Sequence, residues 1–284
     1  MPILPPNPVL FKTPTPEETA REGHLAADLH VHTNHSDSFT RVRDLLRSAA
    51  RQGVGCAVTD HNQVNGAVEA CLAASGVPVI PGIEVSADDG PHLLLYFSVL
   101  SDLTDFYRRH IERKKRDGPC LAIKMTTTEI LDAREGYHCI AAEAHPCGYV
   151  FLNRGMQEGI ARGCIESGTI ARLDALEVIS GGMARVHNLS ATDLARTHGL
   201  GLTGGTDSHL LRDFGGVVTC AEAENVEEFL EKIVRRKSVV IGQERNLAEK
   251  AMMGVAVLPH HLPYTLPILK GCVCQRLLRR YGGR

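Results

Sequence analysis

No stretch of this chain reaches the ~20 uninterrupted apolar residues of a membrane span. Charge of one sign is not in excess either. The 31 Lys and Arg against 33 Asp and Glu leave a net charge of −2, which supplies no bulk positive field for a nucleic-acid groove. Stable binding of duplex nucleic acid is therefore not expected, whereas a small phosphorylated substrate remains compatible because local fields differ from the total. The nine cysteines have no regular framework. An odd, irregular set argues against a secreted disulfide scaffold and for reduced thiols in a cytoplasmic protein. Cys272 and Cys274 make a lone C-x-C pair, too little for a closed zinc site. The opening MPILPPNPVLFKTPTPEETA lacks the basic start and apolar run of a secretory leader. There is no internal repeat and no low-complexity segment.

What is present is 284 residues with 43% hydrophobic content, ample for a buried core. Residues 1–24 read as an extended arm, since Pro5, Pro6, Pro8, Pro14 and Pro16 oppose regular helix. Residues 25–242 alternate short apolar runs with segments of helical period. The expected strands are Ala27–His32, Gly55–Thr59, Val77–Val85, His92–Val99, Cys139–Ala144, Ala175–Ser180, Gly201–Gly204, Gly216–Cys220 and Val239–Ile241. The expected helices are Arg41–Gln52, Val64–Ala74, Leu103–Lys115, Thr127–Arg134, Arg185–Thr197 and Val226–Arg236. Thr127 and Thr128 stand where a cap is needed before Glu129, and Gly53 and Gly199 where a helix ends left-handed. Such alternation implies an α/β domain with a largely parallel sheet, closed or open. The tail, residues 243–284, is apolar with interrupting prolines and then basic. Packing on the domain or a homo-oligomer contact is favoured there over membrane contact, because proline breaks an amphipathic helix. The basic run Arg108–Arg116 reads as a solvated helical face, or as a lid attracting phosphate.

Histidines and carboxylates gather at the ends of the apolar runs. Carboxyl ends of strands are where parallel α/β folds build their sites. His30 and His32 are two apart and share a strand face. Asp37 follows in the next loop. Asp60 and His61 end GCAVT, Glu84 ends VPVIPGIE, Glu143 and His145 follow CIAAEA, Glu177 lies in ALEVIS, and Asp207 and His209 follow GLTGG. His92 starts its apolar run instead, and must reach a common site from a loop or a reversed strand. Each residue alone has a bland role as a cap, a turn residue or a satisfied core histidine. Six histidines and three acids at strand junctions would together make a costly polar pocket unless cations held it.

These motifs, DLHVHTNHSD at 28–37, TDHN at 59–62, PGIE at 81–84, HLLLYF at 92–97, AHP at 144–146 and GTDSH at 205–209, resemble those of the polymerase and histidinol phosphatase (PHP) family. The resemblance implies a distorted (β/α)7 TIM-like barrel with its site at one mouth. It implies a metal-dependent phosphoesterase with two or three divalent ions (Mn2+, Fe2+ or Zn2+) and a metal-activated water. By that resemblance His30, His32 and Asp207 hold one ion, Glu84 bridges to a second completed by His92 and His145, and Asp37, His61 and His209 hold a third. Glu177 lies beside the site without being a ligand. Asp207, His209 and His61 are the acid–base candidates, and Arg154 and Arg185 the candidates to grip phosphate. Implied substrates are nucleotide mono- or bisphosphates, short oligonucleotides and histidinol phosphate. Ser38 and Asn62 stand where many relatives have glycine and aspartate. An amidohydrolase-like enzyme and a non-catalytic, metal-stabilised module are the competing readings.

Overall fold

The computed structural model describes residues 8–74, 76–116, 118, 121–148 and 155–259. Its strands are β1 (Val9–Phe11), β2 (His24–Val31), β3 (Gly55–Val58), β4 (Val79–Ser86), β5 (His92–Phe97), β6 (Cys139–Glu143), β7 (Ala175–Ser180), β8 (Gly201–Gly205), β9 (Val217–Glu222) and β10 (Val239–Gly242). Its numbered helices are α1 (Pro16–Thr19), α2 (Val42–Gln52), α3 (Asn65–Ala73), α4 (Leu100–Phe106), α5 (Thr127–Ala133), α6 (Met156–Ala161), α7 (Arg185–His198) and α8 (Val226–Val234).

The strands form one sheet in the order β1-β10-β9-β2-β3-β4-β5-β6-β7-β8. β2, β3 and β4 pair in parallel, as do β6, β7 and β8, while β5 runs antiparallel between β4 and β6. The sheet curls until β8 returns to β2. There the Ser208 carbonyl accepts from His32 N at 3.0 Å, and the Thr219 hydroxyl bonds both Gly204 N (2.9 Å) and Gly204 O (3.2 Å). Asp28 draws the seam tighter. Its carboxylate accepts from Thr206 N (2.9 Å), Thr206 Oγ1 (2.6 Å) and Gly215 N (3.0 Å). The result is an α/β, distorted TIM-like barrel whose closure rests on an isolated backbone bridge and on side chains instead of a continuous ladder.

Two apolar layers hold it. Inside lie mostly small residues, including Ala27, Ala57, Ala142 and Ala175, capped by Phe229, Leu230 and Ile233 of α8. Outside, the helices bury their stripes on the sheet; α2 does so with Val42, Leu45 and Ala49, at helical spacing. Burying each such large side chain contributes about 1.5–3 kcal/mol. Gly53 and Gly199 both end helices at φ 65°, where a side chain would be strained.

Several elements differ from the sequence reading. Pro16 opens a four-residue helix in the supposed arm, because proline at a first helical turn lacks only an N–H that would be unbonded anyway. The same arm is tied down by β1 pairing with β10. Thr126, not Thr127 or Thr128, caps α5, its hydroxyl accepting from Glu129 N while Glu129 reaches back to Thr126 N. The helix expected over Leu103–Lys115 begins at Leu100 and changes winding, to π at Tyr107–Ile111 and 3-10 at Glu112–Lys114. The tail is helical over 247–259, and residues 260–284 lie outside the described residues. No described helix is long and apolar enough to cross a membrane.

Candidate metal centre

Strand ends bring the chemistry together. Leu25, Ala27 and Leu29 of β2 face the inner layer, so strict alternation would send His30 outward. A register shift between Asp28 and Val31 turns His30 and His32 into one pocket, with their Nε2 atoms 3.1 Å apart. His61 and Glu84 arrive from the ends of β3 and β4 and meet across an isolated bridge. Reversal of β5 puts His92, its first residue, at the same mouth as the last residues of its neighbours.

Glu84 is the hub, fully buried. Its Oε2 lies 3.4 Å from His30 Nε2, 3.4 Å from His32 Nε2 and 2.9 Å from His61 Nδ1. Its Oε1 lies 2.8 Å from His92 Nδ1 and 3.4 Å from His145 Nε2. Asp207 Oδ1 lies 3.2 Å from His32 Nε2 and 3.6 Å from His30 Nε2. Asp37 Oδ2 lies 3.2 Å from His209 Nε2 and 3.7 Å from His61 Nε2. All nine candidate ligands thus share one pocket. Three groups among them have donor atoms within 4.8 Å of one another: His30, His32 and Asp207; His32, Asp37, His61 and His209; and His61, Glu84 and His92. The third group places His61 beside Glu84 as well as beside Asp37, a closer link than the implied sharing suggests.

A supporting layer aims these groups. Glu177 accepts from His30 Nδ1 (2.9 Å) and from His145 N (2.8 Å), so one carboxylate orients two candidate ligands. Asp60 points away from the pocket and accepts from Thr33 N, Thr33 Oγ1 and Ser36 Oγ, shaping the loop that carries Asp37. The two departures from the family pattern have structural work. Ser38 donates to His209 O (2.8 Å), and Asn62 accepts from Ser86 N (3.0 Å) while donating to Leu121 O (3.1 Å). Among the described residues four non-glycine residues have positive φ, and Asn62, His145 and Asp207 are three of them. Such backbone costs about 1–3 kcal/mol apiece and gathers where geometry is over-determined by function.

Burial opposes charge on His30, yet the carboxylates of Glu177, Glu84 and Asp207 outweigh it and hold the imidazole well above its usual range. Burial likewise opposes charge on His61, but Glu84 and Asp37 raise it to about 9. His209 is also raised, against burial, chiefly by Asp37. Burial depresses His32 and His92. Burial would raise Glu84 and Asp207, but the surrounding imidazoles keep both well below the usual carboxylate range. The carboxylates thus favour charge on His30, His61 and His209, and the imidazoles favour charge on Glu84 and Asp207. Glu84 Oε2, His32 Nδ1 and His61 Nδ1 are buried with no hydrogen-bond partner, the short His61–Glu84 approach being misaligned for one. Unpaired buried donor atoms of nitrogen and oxygen, with no thiolate among them, fit divalent transition ions.

Of the candidate phosphate grips, Arg154 lies outside the described residues. Arg185 is brought elsewhere: its Nε lies 2.9 Å from Glu244 and its guanidinium stacks 4.2 Å over Phe11. In the basic run, Arg108 and Arg109 pair with Asp105, and Arg116 with Asp88. Arg245 escaped the sequence reading. It is 8% exposed, and its Nη2 donates to Asp207 O at 3.2 Å.

The profile of the PHP domain family matches residues 28–234. A 68-residue stretch is 41% identical to the 3′,5′-nucleoside bisphosphate phosphatase of Chromobacterium violaceum, covering 23% of this chain and 24% of that one. The chain therefore aligns with about a quarter of that relative's length. A structure from Bifidobacterium adolescentis, provisionally assigned as a metal-dependent phosphoesterase, superposes with TM-score 0.53 at 21% identity, over 78% of this chain and 98% of the other. The lesion-specific endonuclease of Pyrococcus furiosus superposes with TM-score 0.58 at 16% identity, over 76% of this chain and 57% of its own. These two likenesses show a shared fold.

Proposed function

The chain belongs to the PHP domain family, and from that premise we propose that it hydrolyses phosphate esters of nucleotides, or of other small phosphorylated molecules, in a multi-ion pocket. The observation that carries this reading is Glu84, a fully buried carboxylate within 3.4 Å of five imidazoles and with one oxygen unpaired. A carboxylate so placed suits a bridge between cations. In this reading His30, His32 and Asp207 hold one ion, His92 and His145 with Glu84 a second, and Asp37, His61 and His209 a third; manganese, iron or zinc suits such donors. When bound, divalent ions polarise phosphoryl oxygens and lower the pKa of water.

The chain's own residues prepare the rest. Glu177 accepts a hydrogen bond from His30 Nδ1, leaving Nε2 to face the pocket. The Asp207 carbonyl can only accept, so its 3.2 Å bond to His209 puts a proton on Nδ1 and turns Nε2 toward Asp37. His61, Asp207 and His209 are the groups placed to hold or move protons, His61 being raised to about 9. Nucleotide substrates are favoured by the bisphosphate phosphatase relative, and short oligonucleotides by the endonuclease neighbour.

The test is a substrate screen with added Mn2+ or Zn2+, spanning nucleoside mono- and bisphosphates, short oligonucleotides, histidinol phosphate and amides. Phosphate release that chelator abolishes, and that Asp207→Asn loses while keeping its circular dichroism, is the expected result. Turnover of amides alone would overturn the proposal, as would an inert protein at full ion occupancy.

A further inference from the structure

The chain after β10 leaves the sheet and crosses the loop ends beside the pocket. Arg245 N donates to Gly181 O (2.9 Å), and Gly181 N in turn donates to Gly205 O (3.0 Å), at the end of the strand that leads to Asp207. From this anchored backbone the Arg245 guanidinium turns inward. Nη1 lies 3.3 Å from Asp213 Oδ2, and Nη2 donates to Asp207 O at 3.2 Å. The same Asp207 carbonyl accepts from His209 Nδ1 at 3.2 Å. Asp207 needs such restraint, because its φ of 50° is one that residues bearing a Cβ seldom adopt. Asp28 already holds the preceding residue, Thr206, by both its N and its Oγ1. Nothing but Arg245 and His209 holds the Asp207 carbonyl among the hydrogen bonds of the described residues.

We propose that Arg245 is a positioning residue: by anchoring the Asp207 carbonyl, it aims the Asp207 carboxylate at His30 and His32 and fixes the ring orientation of His209 for cation binding. The inference rests on the ion-binding part of the reading above, not on the bond that is cleaved. A direct grip on substrate is excluded by burial, since only 8% of the residue is exposed and its Nε is enclosed without a partner. The geometry also says which donors are affected. The groups built on Asp207 and on His209 both depend on this carbonyl, whereas the group of His61, Glu84 and His92 contains neither residue.

The experiment measures Zn2+ affinity by competition with a chromophoric chelator, and ions per chain by elemental analysis, in the full chain. Arg245→Gln and Arg245→Ala are expected to weaken at least one tight site by about 10–100-fold, as loss of a group supporting a metal ligand typically does. Arg245→Lys is expected to recover part of that loss, since an ammonium can still donate to a carbonyl. Arg134→Gln is the control. Arg134 binds Asp174 and the Arg172 carbonyl at the opposite end of the barrel, so its loss costs stability but should leave Zn2+ affinity within twofold of wild type. Should Arg245→Ala fail to fold, Arg245→Gln is read by the same criterion. Wild-type affinity in a folded Arg245→Gln protein would overturn the proposal, and so would an equal loss in Arg134→Gln. Because no substrate enters the measurement, a wild-type protein that cleaves no phosphate ester leaves this test intact.

Discussion

Glu143 offers a test of how burial at the end of β6 acts on a carboxyl, and it needs neither ion nor substrate. It is fully buried at the end of β6; Oε1 accepts from Met156 N at 2.5 Å, and Oε2 has no partner. Burial pushes its carboxyl from an ordinary 4.5 to about 8, against the pull of that one hydrogen bond. The folded chain therefore holds the proton more tightly than the unfolded chain. Below pH 4.5 both states are protonated and nothing is lost. Between 4.5 and 8 the unfolded state releases the proton first, so stability falls as pH rises; above 8 the loss is constant. A carboxyl moved from 4.5 to about 8 sets an upper size of about 5 kcal/mol, at about 1.36 kcal/mol per pH unit.

Glu143→Gln keeps the acceptor for Met156 N and cannot ionise. Its amide puts a donor where the protonated acid already has one, so the two proteins should be nearly equal in stability at pH 5. At pH 8.5 the variant should be more stable by about 3–5 kcal/mol. Urea denaturation in EDTA at both pH values measures this. EDTA matters because a cation held at His145, two residues away, would draw the proton off and shrink the difference. A gap that does not change with pH, or a variant less stable at pH 8.5, would refute the reasoning.

Chelation should lower the melting temperature by on the order of 5–10 °C, since a ligand at 100 times its Kd adds about 2.7 kcal/mol; Glu84→Ala should abolish most of the difference in a thermal scan. Ion binding at pH 7 should release protons and weaken at least about tenfold per pH unit of acidification, because His61, raised to about 9, must lose its proton to ligate; calorimetry in buffers of different ionisation enthalpy counts them. Asp28→Ala should cost about 3–5 kcal/mol in urea melts, as the seam's buried N–H groups and hydroxyl lose their acceptor at about 1–3 kcal/mol each and entering water recovers part. Gly66→Ala, elsewhere a gain within a helix, should here cost about 1–3 kcal/mol, because the added Cβ would lie 2.1 Å from Asp60 Oδ2 and 2.6 Å from Thr33 Oγ1.

What is legible in the sequence is what local spacing encodes. His30 and His32 are neighbours on one strand face, and Asp207 and His209 leave one strand end together, so their convergence follows from pleat and topology. The reversal of β5 is legible in part: His92 begins its apolar run where the other residues end theirs, which leaves a loop or a reversed strand, and pairing with β4 and β6 decides for the strand. What is hidden depends on partners distant in sequence. The register shift in β2 arises from pairing with β3 and leaves no trace in composition. Arg185 opens the helix that follows β7, a fitting place for a phosphate grip, yet Glu244 and Phe11, remote in the chain, take its guanidinium first.

Arg245 marks the same boundary from the other side. It stands in a polar stretch, GQERN, past the last motif, where no periodicity separates a buried arginine from a solvated one. Its significance comes from closure: β10 must return beside β9 before residue 245 can reach the loop that β8 delivers. A barrel that closes by side chains instead of a full ladder needs such late contacts. Asp28 from the first barrel strand and Arg245 from beyond the last strand hold adjacent residues, Thr206 and Asp207, from two directions. The left-handed backbone at Asp207 persists because it is held twice, and the pocket's geometry is thereby coupled to the closing of the barrel. Weakening either hold should therefore loosen the same carboxylate, and Asp28→Ala and Arg245→Gln should combine with less than additive loss of Zn2+ affinity. Strict additivity in that double-mutant cycle would separate closure from ion binding.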